Sequence, residues 1–172
     1  FAELSQTMAS SLDLETTLYA ILESVERLIP SDFPEITVWD AAKKNLQPFH
    51  FIGMPGVDRR LEETQERYAP DKGYSGYLVT ERKPLLINDV DSFREVRPSV
   101  VRKQYPFNSY MGVPLVVANE LVGTLELASL GKQAFNESDL EVLRVLSGQA
   151  AVALHNAILF QGEQRRILEP VS

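Results

Sequence analysis

The sequence predicts an α+β fold: an antiparallel sheet with long terminal helices on one face and short helices or loops over a ligand pocket on the other. Three observations point there. Long segments with apolar residues at three- and four-residue intervals stand at both ends of the chain, and the segments between them alternate with period two. The strand-like runs also come largely as hairpin pairs, giving the order α, ββ, short α, β, short α, ββ, α rather than repeated βαβ units. With 172 residues the chain is one domain's worth, enough to bury about 70% of the surface its unfolded form exposes.

The first helix carries Leu14, Leu18, Ile21, Leu22, Val25, Leu28 and Ile29 on one stripe and stops at Pro30. Asp13 is placed to cap it, and Glu15 suits its positive end. Leu4 and Met8 extend the pattern upstream, but Ser10-Ser11-Leu12-Asp13 breaks it, which sets residues 1–11 apart as a helical arm. Ile36-Thr37-Val38-Trp39 and Phe49-His50-Phe51-Ile52 then flank a Lys43-Lys44-Asn45 turn, with Pro48 arguing for an edge or a bulge. Segments 62–68, 73–80 and 93–103 read as short helices or loops over one face, and Leu85-Leu86-Ile87 follows Pro84 as a short strand.

Residues 110–117 and 121–129 form the last hairpin around Ala118-Asn119-Glu120. A two-residue turn at Asn119 and Glu120 puts Ser109, Met111, Val113 and Leu115 on one side with Val122, Thr124, Glu126 and Ala128. The opposite side, with Gly112 and Gly123, then suits close approach of the terminal helix through Ala150, Ala151, Ala153 and Ala157. That helix starts at Asn136 with Phe135 stapled onto Leu140, or at a Ser138/Glu141 capping box. About thirty residues make it roughly 45 Å long, so its end projects beyond the core.

Composition removes several classes of function. Seventeen basic against 24 acidic residues give a net charge of −7, opposite in sign to what binding along a phosphate backbone requires. Direct nucleic-acid binding is not expected. With no Cys there is no disulfide, thiolate nucleophile or thioether-attached cofactor, and two His make no metal site. No uninterrupted apolar run reaches membrane-span length, and the start lacks both a secretory pattern and an initiator Met, so the chain reads as a cytoplasmic piece of something longer.

Several stretches carry a resemblance: Gly73-Tyr74-Ser75-Gly76-Tyr77, Lys83-Pro84-Leu85-Leu86-Ile87-Asn88-Asp89-Val90, Asn108-Ser109-Tyr110-Met111-Gly112-Val113-Pro114-Leu115, Leu121-Val122-Gly123-Thr124-Leu125-Glu126-Leu127, and Ala150-Ala151-Val152-Ala153-Leu154-His155-Asn156-Ala157. In this order, with Phe135 to Leu143 between the last two, the chain resembles a GAF domain, the small-molecule sensor and dimerisation module of bacterial signalling proteins; the resemblance covers residues 12–160 and implies that 161–172 extend toward an output domain. The resemblance implies a GAF/PAS-like sheet, no catalysis in this fragment, a homodimer through the terminal helices and an output domain such as that of a two-component histidine kinase, a cyclic-dinucleotide enzyme or a transcriptional regulator. Bilin-binding members similar to this fold attach the chromophore through a Cys, as the family's methionine sulfoxide reductases also need Cys; neither chemistry is open here. Of the cyclic-nucleotide signature only Phe135 and Asp139 have counterparts, and a helix start accounts for both. The ligand is an unidentified small molecule.

Glu126 is the foremost candidate site residue, because an acid in an apolar strand needs solvent or a partner. Ser109 and Thr124 are its expected polar neighbours in the pocket. Arg94 and Arg97 lie on the covering segment, where they either clamp a carboxylate or phosphate, with Asp89 beside them, or simply follow an Asp-capped turn. One of them is a partner for Glu126 in the empty state. Trp39 and Tyr74 either stack on a ring or belong to the core. His50, between two Phe, allows axial haem ligation but fits an ordinary strand His better; Ser75 and Ser109 lack a His that would make either a nucleophile. A ligand-free alternative is a structural dimerisation or protein-docking module with the pocket plugged by Met111, Phe51 and Tyr105.

Overall fold

The computed structural model describes residues 13–52, 58–61, 68–99 and 106–168. The chain runs α1 (Leu14–Leu28), β1 (Phe33–Asp40), β2 (Asn45–Ile52), β3 (Asp58–Leu61), α2 (Gly73–Glu81), β4 (Leu85–Ile87), β5 (Ser109–Val117), β6 (Glu120–Ser129) and α3 (Glu137–Leu168). Six strands make one sheet in the order β3-β2-β1-β6-β5-β4, every neighbouring pair antiparallel. The expected arm at 1–11, most of segment 62–68, residues 100–103 of the covering segment and the last residues of the extension lie outside the described residues. Residues 93–99 form turns and irregular chain rather than a helix.

Both long helices begin on side-chain caps. Asp13 accepts the Thr16 N–H at 2.9 Å, and α1 then buries Thr17, Leu18, Ile21, Leu22 and Val25. At α3, Asn136 Oδ1 accepts the Asp139 N–H at 2.9 Å while Asp139 Oδ2 accepts the Asn136 N–H at 3.0 Å. This is a reciprocal capping box with Asp in the returning position, and Phe135 and Leu140 are both buried in the core beside it. The Asn136 start is therefore the one used.

The main core lies between the sheet and the two long helices. Leu18 and Leu22 of α1 and Leu143, Leu146, Ala150 and Leu154 of α3 pack there with Ile36, Met111, Val113, Leu115, Leu125 and Leu127. Segment Glu137–Gly162 is long and apolar enough to cross a membrane by length and composition. Its Leu143, Leu146, Ala150, Leu154 and Ala157 are instead buried in this core. A second, smaller cluster forms on the other sheet face, where Tyr74 and Leu78 of α2 meet Leu85, Ile87, Phe107, Tyr110 and Ala128.

One strand goes unannounced in the sequence, and one expectation is corrected, since β2, which holds Pro48, is an interior strand. Asp58-Arg59-Arg60-Leu61 has no alternating apolar pattern, yet it pairs with β2 and extends the sheet, with Phe49 opposite Leu61 and Ile52 opposite Asp58. Pro48 is tolerated because of where its nitrogen points. Leu46 N–H donates to Tyr68 O on the side of β2 away from β1, Pro48 turns the same way, and β3 pairs only with residues 49–52.

The last hairpin differs from its predicted register for two separate reasons. Its turn is Ala118-Asn119, both at positive φ (49° and 67°), with Val117 opposite Glu120. Moving the turn back by one residue shifts the pairing by two and leaves the faces unchanged. A bulge changes them: Leu115 pairs with Gly123 but Val116 with Leu121, so Val122 has no opposite number. Beyond the bulge Gly112 lies opposite Glu126 and Tyr110 opposite Ala128. Thr124, Glu126 and Ala128 therefore share their face with Tyr110 and Gly112, while Met111, Val113 and Leu115 turn to the long helices. Met111 consequently plugs no pocket; Phe51's side chain and Tyr105 lie outside what is described.

Candidate functional site

Glu126 sits in the middle of β6, between β1 and β5, on the face covered by α2, and is only 5% exposed. A carboxylate so placed needs donors, and three hydroxyls supply them. Ser75 Oγ, from the first turn of α2, donates toward Oε1 and Oε2 at 2.9 and 2.8 Å. Tyr110 Oη donates to Oε1 at 2.5 Å, and Thr124 Oγ1 donates to Oε2 at 2.6 Å. Gly112 makes the Tyr110 contact feasible: a Cβ there would overlap the Tyr110 hydroxyl and press on Leu78.

Thr37 of β1 continues the array. Its Oγ1 lies 2.6 Å from Thr124 Oγ1 and accepts the Thr124 N–H at 3.0 Å. Thr124 has one hydroxyl proton, which goes to the carboxylate, so the proton between the two threonines comes from Thr37. The run Thr37 to Thr124 to Glu126 thus points one way and ends on the acid.

No cation is among these partners. Glu35 is the register partner of Glu126 across β1 and β6, and its Oε2 accepts from Tyr68 Oη at 2.7 Å. Burial first, and the Glu35 charge second, push the Glu126 carboxyl up from its ordinary 4.5 to about 7, against the hydrogen bonds from Thr124, Tyr110 and Ser75 that favour the charged form. Burial and the Glu126 charge likewise raise the Tyr110 phenol well above 10.0, so it remains a donor.

The remaining predicted residues take different places. Tyr74 is buried in α2, its ring 4.6 Å from that of Tyr110 and edge-on to Phe107 at 6.1 Å. Trp39 is half-buried on β1, on the same face as Glu35 and Thr37 by alternation. Asp89 follows β4, where it accepts from Ser92 Oγ (2.9 Å) and the Asp91 N–H (3.1 Å) and pairs with Lys132 at 3.3 Å. The Ser92 hydrogen bond is the chief reason its carboxyl is held below the ordinary value. Arg97 is exposed and donates through Nη1 to the Val90 and Phe93 carbonyls, and Arg94 is exposed. The expected arginine partnership with Glu126 is therefore replaced by hydroxyls. Ser109 stands on the opposite face and donates to the Gly131 carbonyl at 2.7 Å.

Sequence reasoning missed Glu35, Thr37, Ser75 and Tyr110 as neighbours of Glu126. A hydroxyl-rich stretch and an acid alternating with apolar residues in β1 are the only local signals, and pairing of β1 with β6 gives them meaning. Among the described residues no group of three or more His, Asp or Glu is set to hold a metal ion. The described side-chain hydrogen bonds of Ser75 go to Glu126, an arrangement that fixes a helix to a sheet.

The profile of the GAF domain matches residues 11–155. The chain belongs to the GAF domain family. Over 69 residues it is 35% identical to the anaerobic nitric oxide reductase transcription regulator NorR of Serratia proteamaculans (strain 568), a match spanning 40% of this chain and 14% of that regulator. Among solved structures, the GAF domain of a Coxiella burnetii phosphoenolpyruvate-protein phosphotransferase superposes with a TM-score of 0.77 at 16% identity, covering 94% of each chain. The corresponding Acinetobacter domain gives 0.75, also at 16% identity and 94% of each chain. Free methionine-R-sulfoxide reductase from Neisseria meningitidis, solved with its substrate, gives 0.73 at 14% identity over 92% of this chain and 87% of that one. At these identities the structural likeness shows the GAF fold: an α+β sheet with its long helices on one face.

Proposed function

We propose that this GAF domain is a regulatory small-molecule sensor and dimerisation module of a larger bacterial signal-transduction protein, cytoplasmic and without catalysis of its own. The observation that carries the reading is a set of polar groups, Glu126, Thr124 and Thr37 on the sheet face turned away from the long helices and Ser75 of α2 above them. Pockets that orient small molecules combine apolar walls with a few such groups. The similarity to a transcription regulator supports a signalling context, with the output domain elsewhere in the protein. Glu126, Thr124 and Trp39 would meet the ligand from the sheet, Tyr74 from α2, and Arg94, Arg97 and Asp89 from the segment after β4. Ser109 drops out of this set because its hydroxyl serves the other face.

A thermal-shift screen over nucleotides, amino acids, aromatic acids and haem tests the reading. A hit that also changes the fluorescence of Trp39, the chain's one tryptophan, and is lost in Glu126→Ala or Arg97→Ala supports sensing. A screen with no hit refutes it.

The second reading, a ligand-free dimerisation or docking module, is favoured by α3. Val145, Val152 and Leu159 are 51%, 52% and 55% exposed and recur every seventh residue. That spacing suits a seam between two copies of the helix. A flat screen together with dimers in light scattering supports this reading, and a strict monomer counts against it.

A further inference from the structure

Of the three hydroxyls on Glu126, two belong to sheet strands and the third, Ser75, belongs to α2. The strand hydroxyls are held by the ladder between β5, β6 and β1. Ser75 is therefore the hydrogen bond by which α2 grips the carboxyl, beside the packing of Tyr74 and Leu78. The two protonation states place different demands on that grip. As a carboxylate, Glu126 is a buried charge next to Glu35, and lifting α2 admits water that hydrates it. As a neutral acid it gains one donor, and any of the three hydroxyls, Ser75, Thr124 or Tyr110, can turn to accept it. The neutral form gains far less from water.

We propose that the seating of α2 on the sheet is proton-linked through Glu126, so that proton uptake by this carboxyl holds the helix down and proton loss loosens it. Among the described side chains the titratable groups around it are Glu35 on β1 with Tyr68 on its carboxylate, Tyr110 on β5, and Tyr74 on α2; by register His50 of β2 stands opposite Glu35 and Arg60 of β3 opposite His50. Tyr110 stays protonated, so among these described side chains the charge that acts on Glu126 is that of Glu35. The inference rests on the reading of this face as the responsive one and adds the proton as a signal. Its test uses the chain with no small molecule present, so its failure is distinct from a failed ligand screen.

Amide hydrogen exchange of α2, corrected for the intrinsic rate, is the direct measurement. With the seated carboxyl at about 7 and the hydrated one at its ordinary 4.5, protection in α2 is expected to fall about 30-fold from pH 5.5 to pH 8. That exchange should be faster than in α1 and α3 and nearly independent of urea, as for a local opening. In Glu126→Gln the fall disappears. Glu35→Gln serves where that variant does not fold, and it moves the midpoint to lower pH; the Glu126 carboxyl 13C shift reports the same midpoint. Flat protection in the unmodified chain, an undiminished fall in Glu126→Gln, an unmoved midpoint in Glu35→Gln, or α2 exchange only at the rate of α1 and α3 would overturn the proposal.

Discussion

Replacing Glu126 by Gln keeps the side chain's length and volume while removing its capacity to ionise. In the folded chain the carboxyl is pushed up to about 7, because burial and the nearby Glu35 charge both oppose ionisation. The folded state therefore holds this proton more tightly than the unfolded chain does. The group's contribution to stability is complete below about pH 4.5 and is lost as pH rises through 7. Between pH 5 and pH 8 that loss comes to about 2–3 kcal/mol, at about 1.4 kcal/mol per pH unit over which the two states differ by one proton. It is a large share of the roughly 5–15 kcal/mol that stabilises an ordinary domain. Urea unfolding of both proteins at pH 5, 6, 7 and 8 measures it. At pH 5 the variant is expected to be the less stable, since its NH2 brings two donors and no acceptor where the neutral acid's OH brings one donor and can still accept from the hydroxyls. By pH 8 the difference should have moved about 2–3 kcal/mol in the variant's favour. Parallel stability profiles, with a constant gap at every pH, would refute the placement of a poorly solvated charge at this position.

Gly123→Ala should be destabilising by several kcal/mol in thermal or urea unfolding, on the order of 2–4, because a Cβ there would overlap the Thr37 carbonyl and force β1 from β6. Asn136→Ala removes the side-chain half of the α3 cap and is expected to lower stability by about 1 kcal/mol, with no change in the pH dependence assigned to Glu126. Met111→Ala, fully buried on the helix face, should cost about 2–5 kcal/mol; a cost under about 1 kcal/mol would mean the β5 faces are assigned the wrong way round. Val152→Lys with Leu159→Lys should leave the unfolding midpoint nearly unchanged, since both side chains are more than half exposed, while abolishing any self-association seen in light scattering.

The helices and the later strands were legible because their signals are local. Asp13, and Phe135 with Asn136, mark helix starts by side-chain chemistry that reaches only a few residues, and the structure uses each of them. The sheet face was harder. Glu126 announces itself as an acid in an apolar strand, but what it touches depends on a bulge at Val122, which no residue type in 115–123 specifies, and that bulge decides that Tyr110 rather than Met111 lies beside it. Thr37 and Glu35 come alongside through the pairing of β1 with β6, strands separated by some eighty residues of sequence, so alternation within either strand is silent about their meeting. Arg97 illustrates the reverse case. Its chain position suggested an anion clamp, and the structure employs its guanidinium on the carbonyls of its own loop.

α3 runs without interruption from Glu137 to Leu168, and among its described side chains Ile158 is the last that packs against the core. The ten residues that follow add about 15 Å of helix at 1.5 Å per residue. A rod anchored at one end is a lever arm: a 5° tilt where α3 rests on β5 and β6 would carry its tip sideways by roughly 1–2 Å over that reach. Small adjustments in the sheet would thus leave the domain as displacements large enough for a neighbouring structure to register.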